Sequence, residues 1–188
     1  MSICRIFVHT GCLTAMLSLP ALAQNPRLQI QQLEKLSAKA SEVVDVTMEG
    51  STLKMAAKFM ENDPETRGLI QNLKGIFVKV FEFDQPGAYS KEDVDAIRAQ
   101  LQPPAWSRMV GVQSKREGDV GVYIMNDSVN GGILGLAILV AEAKELVVVN
   151  LVGSIDIDKL SALEGKMGIP KITVGKAKAP KKAGEHHE

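Results

Sequence analysis

WSRMVGVQSKREGDVGVYIMNDSVNGGILGLAILVAEAKELVVVNLVG, Trp106 to Gly153, is the stretch from which the fold is read. Its apolar runs cover Ser107 to Lys115, Val120 to Met125, Ile133 to Ala141 and Leu146 to Val152. Between them stand Arg116-Glu117-Gly118-Asp119, Asn126 to Gly132 and Ala143-Lys144-Glu145. Short β-rich runs bounded by Gly, Asn and charged residues predict strands joined by hairpins. A four-strand meander follows, and the remaining segments must supply its cover.

Upstream, Leu28 to Ala40 predicts a helix, with Ile30, Leu33, Leu36 and Ala40 near one face. From Ser41 to Met48 the period changes, since Val44, Val46 and Met48 alternate with Asp45 and Thr47; this predicts a strand with one buried face. Ser51 to Met60 reads as a helix with the stripe Leu53, Ala56, Ala57 and Met60, and Asp63-Pro64 opens more helix through Leu73. Gly75 to Phe83 is apolar on both faces, which places it inside the sheet. Ser90 is an N-cap, with Glu92 and Asp93 in the first turn and the stripe Val94, Ile97 and Leu101 running to Pro103-Pro104. Beyond the meander, Asp156 caps a final helix with Leu160, Leu163 and Met167 on one face, ended by Gly168. Residues 175–188, rich in Lys, Ala, Pro and Gly, read as a disordered tail.

Residues 1–23 read as a signal peptide. Arg5 is the basic n-region, Thr10 to Leu19 the apolar h-region, and Ala21-Leu22-Ala23 the cleavage site, so the expected mature N-terminus is Gln24. The apolar run falls short of the ~20 residues that span a bilayer. Periplasmic or secreted localisation is the expectation, with no transmembrane segment after cleavage. Both cysteines, Cys4 and Cys12, leave with the signal, as does His9, so the mature chain has no disulfide and relies on its core. Residues 24–174 suit a single α+β domain of about 100 to 200 residues. Removing Arg5 leaves 21 basic against 22 acidic residues, a net of −1, without the basic excess of a nucleic-acid binder.

Several whole segments carry a resemblance: LEKLSAKASEVVDVTMEG, GIFVKVFEFD followed by YSKEDVDAIRAQL, WSRMVGVQSKREGDVGVYI and VVVNLVGSIDIDKLSALEGKMGIP. Over Leu33 to Pro170 the chain resembles a bacterial exported family catalogued as domain of unknown function 4252. The resemblance implies export and one domain, carries no catalytic residues, and implies an envelope or signalling protein as the partner.

The chemistry points the same way. After cleavage the remaining histidines are His186 and His187, so a Ser-His-Asp triad, a Cys-His pair, a Cys/His zinc site and His-ligated haem lack their residues. No cofactor or metal is expected. Ser51 to Lys54 spells S-x-x-K and resembles the start of the serine β-lactamase pattern, with Ser128-Val129-Asn130 as S-x-N. Lys171-Ile172-Thr173 departs from the K-T-G element, and Ser51 is read as an N-cap. Asp156, Asp158 and Asp45 offer carboxylates, read as capping and solvated charge. Met48, Met55, Met60 and Met167 are assigned to apolar faces. Trp106, with Arg108 two residues on, is the candidate binding pair, because both residue types are enriched in interface hot spots; packing of Trp106 over the helix after Ser90 is the competing reading.

The expectation is a two-layer α+β fold: a mostly antiparallel sheet with a C-terminal-half β-meander, and helices packed mainly on one face. The function expected is a non-catalytic exported binding or envelope-signalling module. Two alternatives stand beside it: a small periplasmic hydrolase using Ser51 and Lys54 or a carboxylate pair, and an envelope structural protein that self-associates through a strand edge.

Overall fold

The computed structural model describes residues 25–59, 62–114, 118–128 and 131–156. The expected signal peptide, final helix and tail lie outside them. In chain order come a 3-10 helix Gln31–Leu36, β1 Glu42–Glu49, α1 Gly50–Phe59, α2 Pro64–Asn72, β2 Leu73–Glu82, α3 Lys91–Arg98, β3 Ser107–Ser114, β4 Gly118–Asn126, β5 Ile133–Glu142 and β6 Glu145–Ile155. The six strands form one sheet in the order β1-β2-β6-β5-β4-β3, and every neighbouring pair is antiparallel. The fold is α+β, and β3 to β6 are the meander.

β2 takes the interior place that its sequence demands, with β1 on one side and β6 on the other. Alternation sends Ile76, Val78 and Val80 into one core, where they meet Val147, Val149 and Leu151 of β6 and Leu136 and Ile138 of β5. Phe81 and Phe83 go to a second core with Leu146, Val148, Ala137 and Leu139. α1 and α2 pack together over the first core through Leu53, Ala57, Leu69 and Ile70. The two-layer expectation describes that half of the molecule. The opposite face has its own cover, made by Leu33 and Leu36 of the 3-10 helix and by Val94 and Ile97 of α3.

The first expected helix is shorter than its apolar pattern and winds as a 3-10 helix over Gln31–Leu36. Ile30, Leu33 and Leu36 recur every three residues, which suits three residues per turn. The residues before it are held by two distant side-chain amides. The Leu28 N–H donates to Asn150 Oδ1 at 2.9 Å, and Asn150 Nδ2 donates to the Pro26 carbonyl at 3.0 Å. The Gln29 N–H donates to Gln100 Oε1 at 2.7 Å, and Gln100 Nε2 donates back to the Gln29 carbonyl at 2.8 Å. These backbone groups are thereby taken out of any helix.

Helix starts follow local side-chain chemistry. At α3, Ser90 and Asp93 form the reciprocal capping box, and Lys35 ties Asp93 to the 3-10 helix at 2.6 Å. At α2, Asp63 accepts from the Thr66 N–H with Pro64 at the first position. α1 begins one residue before Ser51, at Gly50 with φ +56°, and Thr52 rather than Ser51 bonds back to the Glu49 backbone: its hydroxyl donates to the Glu49 carbonyl at 2.8 Å. On the sheet's second face the buried Lys79 pairs with Asp45 at 2.8 Å and Glu34 at 2.5 Å. Burial alone would lower its pKa, but the hydrogen bonds and charges of Asp45 and Glu34 outweigh it and hold the ammonium above its ordinary value. At the far edge, β3 exposes Met109 and Val112 and carries no charged residue from Met109 to Ser114, so the strand edge that self-association would use is present.

Asn150→Ala leaves the Leu28 N–H and the Pro26 carbonyl without their partner, and should cost about 1–3 kcal/mol in urea denaturation. Amide exchange at Leu28 should accelerate more than at Val148 in the same strand as Asn150; equal changes would mean that the asparagine does not anchor the N-terminal segment.

Candidate functional site

α1 and α2 lean together over the start of β2 and leave a cleft of about 690 Å³. Its floor is apolar: Leu53 and Ala57 from α1, Ile70 from α2 and Leu73 from β2, all buried. Its walls are cationic. Lys54 and Lys58, four apart on α1, share one helix face, while Arg67 comes from α2 and Lys74 from β2. Among the described residues that line the cleft, none is a carboxylate, and none of these four cations makes an ion pair. The nearest acid in sequence to α1, Glu49, is engaged by Arg27 at 3.0 Å.

The cleft's base is set by Gly153 of β6, whose φ of +133° is glycine territory. A Cβ there would stand 2.7 Å from Asn72 O, Leu73 Cα and Lys74 N. β6 therefore closes directly onto the junction of α2 and β2, opposite Leu73, where the register shifts between Leu73 and Gly75. An irregularity of this kind re-aims the residue inside it, here Lys74.

The opposite end of the same sheet face carries the reverse charge. Register aligns Glu42 of β1 with Glu82 of β2, Glu82 with Glu145 of β6, and Glu145 with Glu142 of β5. Alternation turns these side chains toward the α1–α2 face, roughly 23 Å along β1 from its cleft end. Burial, and then the charges of Glu142 and Glu82, raise the pKa of Glu145. Tyr89 closes this end, its hydroxyl donating to the carbonyls of Glu142 and Glu145. Among the described residues no group of three His, Cys, Asp or Glu is placed to hold a metal ion.

The structure separates the expected binding pair. Trp106 is 2% exposed, in the core shared with Leu101 and Met125, and its ring stands over Gly135. It has no surface to offer a partner in the folded state. Arg108 is exposed on β3, with its guanidinium across Gly111. Of the S-x-x-K pair, Lys54 lines the cleft; Ser51 is exposed on α1 and outside the cleft's lining. Asp45 is committed to Lys79, Asp156 is exposed, and Asp158 and Asn130 lie outside the described residues. Met48 is half-buried as expected, but Met55 is 54% exposed beside Phe59 at 80%, because it lies off the Leu53–Ala57 stripe; Met60 and Met167 lie outside the described residues. In the sequence Lys54 stands out only as the lysine of the S-x-x-K pattern, and Lys58, Arg67 and Lys74 belong to no motif. The four-residue spacing of the two lysines was the available signal; their convergence with Arg67 and Lys74 requires the α1–α2 pairing.

The family model described as Domain of unknown function (DUF4252) matches residues 36–163. No curated protein and no solved structure matches. Among the described residues no helix is long and apolar enough to cross a membrane.

The raised pKa of Glu145 fixes the sign of a pH effect. A carboxyl whose folded pKa lies above its unfolded one favours the folded state below the unfolded pKa, and that contribution is lost as pH rises through the folded value. Glu145→Gln should therefore stabilise the protein at pH 7 by about 0.2–1 kcal/mol, as expected for relief of like charges on adjacent strands. The gain should vanish as denaturation is repeated at falling pH through the carboxylate range. A gain that persists at pH 3 would mean that charge is not its source.

Proposed function

The chain belongs to the DUF4252 family, a domain of unknown function, and we propose that it is a non-catalytic exported binding module whose α1–α2 cleft takes an anionic ligand. The observation that carries this reading is the convergence of Lys54, Lys58, Arg67 and Lys74 on one cleft with no carboxylate among its described lining residues. Like charges four apart on a helix cost about 0.2–0.5 kcal/mol. A bound anion relieves that repulsion and gains charge-assisted hydrogen bonds. The absence of His and Cys from residues 24–174 supports binding over catalysis. In this reading the protein works in the cell envelope, and its partner is an envelope or signalling protein.

Export rests on Arg5, the apolar run Thr10 to Leu19 and Ala21-Leu22-Ala23. Mass spectrometry of protein from the periplasmic fraction should find Gln24 as its first residue; retention of residues 1–23 in a cytoplasmic pool would remove the envelope from the proposal.

Binding is tested by thermal shift with inorganic phosphate, citrate and dodecanoate. At least one of these anions should raise the Tm of wild type and of Ser51→Ala alike, and leave the Lys54→Gln/Lys58→Gln double variant unmoved. The hydrolase reading gains instead if a chromogenic ester is turned over and Ser51→Ala abolishes the turnover.

A further inference from the structure

We propose that α1 docks the protein onto an anionic phospholipid surface, with Met55 and Phe59 entering the bilayer interface and Lys54, Lys58, Arg67 and Lys74 receiving the lipid phosphates. The inference rests on the anion-binding reading of the α1–α2 cleft and names what presents the anion. Among the described residues, Phe59 and Met55 are the two most exposed large apolar side chains, and both stand on α1. Four apart, they lie side by side along one helix face. At about 100° per residue, the pair Lys54 and Lys58 is centred about 100° round the helix from them, and both pairs point away from the buried Leu53 and Ala57. α1 thus turns an apolar strip and a basic strip outward together, and the apolar strip is already in solvent.

Charge favours the same orientation. α1, GSTLKMAAKF, has no acidic residue. On α2, Glu65 lies about 160° round the helix from Arg67 and is not part of the cleft that Arg67 lines. The chain has 22 basic and 22 acidic residues, so net charge draws it to no surface. Attraction comes from segregation instead: the four cations gather at one end, and Glu42, Glu82, Glu145 and Glu142 stand at the other end of the same sheet face. An anionic plane turns the α1–α2 end toward itself.

A bilayer fits this surface better than an acidic protein does. Three of the four cations are lysines, whose compact charges on flexible stems suit a moving array of phosphates; lysine is also depleted at protein interfaces. Fluid acyl chains receive Met55 and Phe59 without a preformed pocket. α1 has ten residues, a length of about 15 Å against a hydrocarbon core of ~30 Å, so it lies on the surface rather than across it.

The test is co-sedimentation of the chain from Gln24 onward with vesicles of phosphatidylglycerol and phosphatidylcholine, compared with phosphatidylcholine alone. Binding should be at least tenfold tighter to the anionic vesicles and should fall as salt is raised from about 0.1 M to about 0.5 M. Lys54→Gln/Lys58→Gln should weaken it at least tenfold, and Phe59→Ala about tenfold. These side chains are exposed, so circular dichroism should stay that of the wild type. In a Phe59→Trp variant, brominated acyl chains should quench the added indole, with the buried Trp106 as a constant background.

Full binding by either the lysine or the Phe59→Ala variant would overturn the proposal, by placing the contact elsewhere on the chain. Tighter binding to poly-glutamate than to vesicles would also overturn it, in favour of an acidic protein. A Tm raised by inorganic phosphate and unmoved in the lysine variant, without vesicle binding, would overturn the bilayer and leave the anion-binding cleft standing. Failure of vesicles and of every free anion would remove both readings together.

Discussion

Between Leu73 and Glu82 the chain commits apolar side chains to both faces of a single strand, and that commitment governs the rest of the architecture. Leaving either face in water would forfeit about 1.5–3 kcal/mol for each large side chain exposed. β2 therefore needs a neighbour on each edge and a cover on each face. β1 and β6 supply the edges, α1 with α2 covers Ile76, Val78 and Val80, and the 3-10 helix with α3 completes the core around Phe81 and Phe83. β6 answers with the same two-faced pattern, and one polar residue in it, Asn150, turns its amide to the chain at Pro26 and Leu28.

The cleft is a by-product of the same commitment. α1 and α2 must reach down onto β2, and the connection from α2 into β2 is direct, with Asn72 ending the helix and Leu73 beginning the strand. A side chain on β6 would collide with that junction, and Gly153 removes the obstacle. The helices then cover the first core while the gap between them keeps an apolar floor with cations above it. Charge on this face is divided by strand register: the basic residues follow the helices, and the acidic residues occupy the strand ends at the other limit of the sheet.

The strands and the order of the meander were largely legible in the sequence, because the signals are local; the strand order of the whole sheet, with β6 beside β2, was not. Glycine, asparagine and charge mark the hairpins, the two-faced β2 announces an interior strand, and Ser90 with Asp93 spells a helix start. Three other features were not legible, each for a reason of distance. The first expected helix yields to amides at Gln100 and Asn150, the second of them 122 residues beyond the N–H it receives. Trp106 looks like an anchor beside Arg108, but it stands just before β3, and the small Gly135 on β5 leaves room for its ring in the core. The cleft's cations come from three elements, and no window of sequence shows them together.

The strand order also bears on how the polypeptide reaches its native state as it is made. Synthesis proceeds from the N-terminus, so β1, α1, α2 and β2 exist before any of the meander, yet the partner on β2's other edge is the last strand of the sheet. A nascent chain stopped before β6 has a two-faced apolar strand with one bare edge, and the gap between α1 and α2 lacks the strand that closes its base. Long-range pairing of this kind makes folding slow and leaves intermediates prone to association. The second edge of β2 is thus paired only once residues 145–155 have been made.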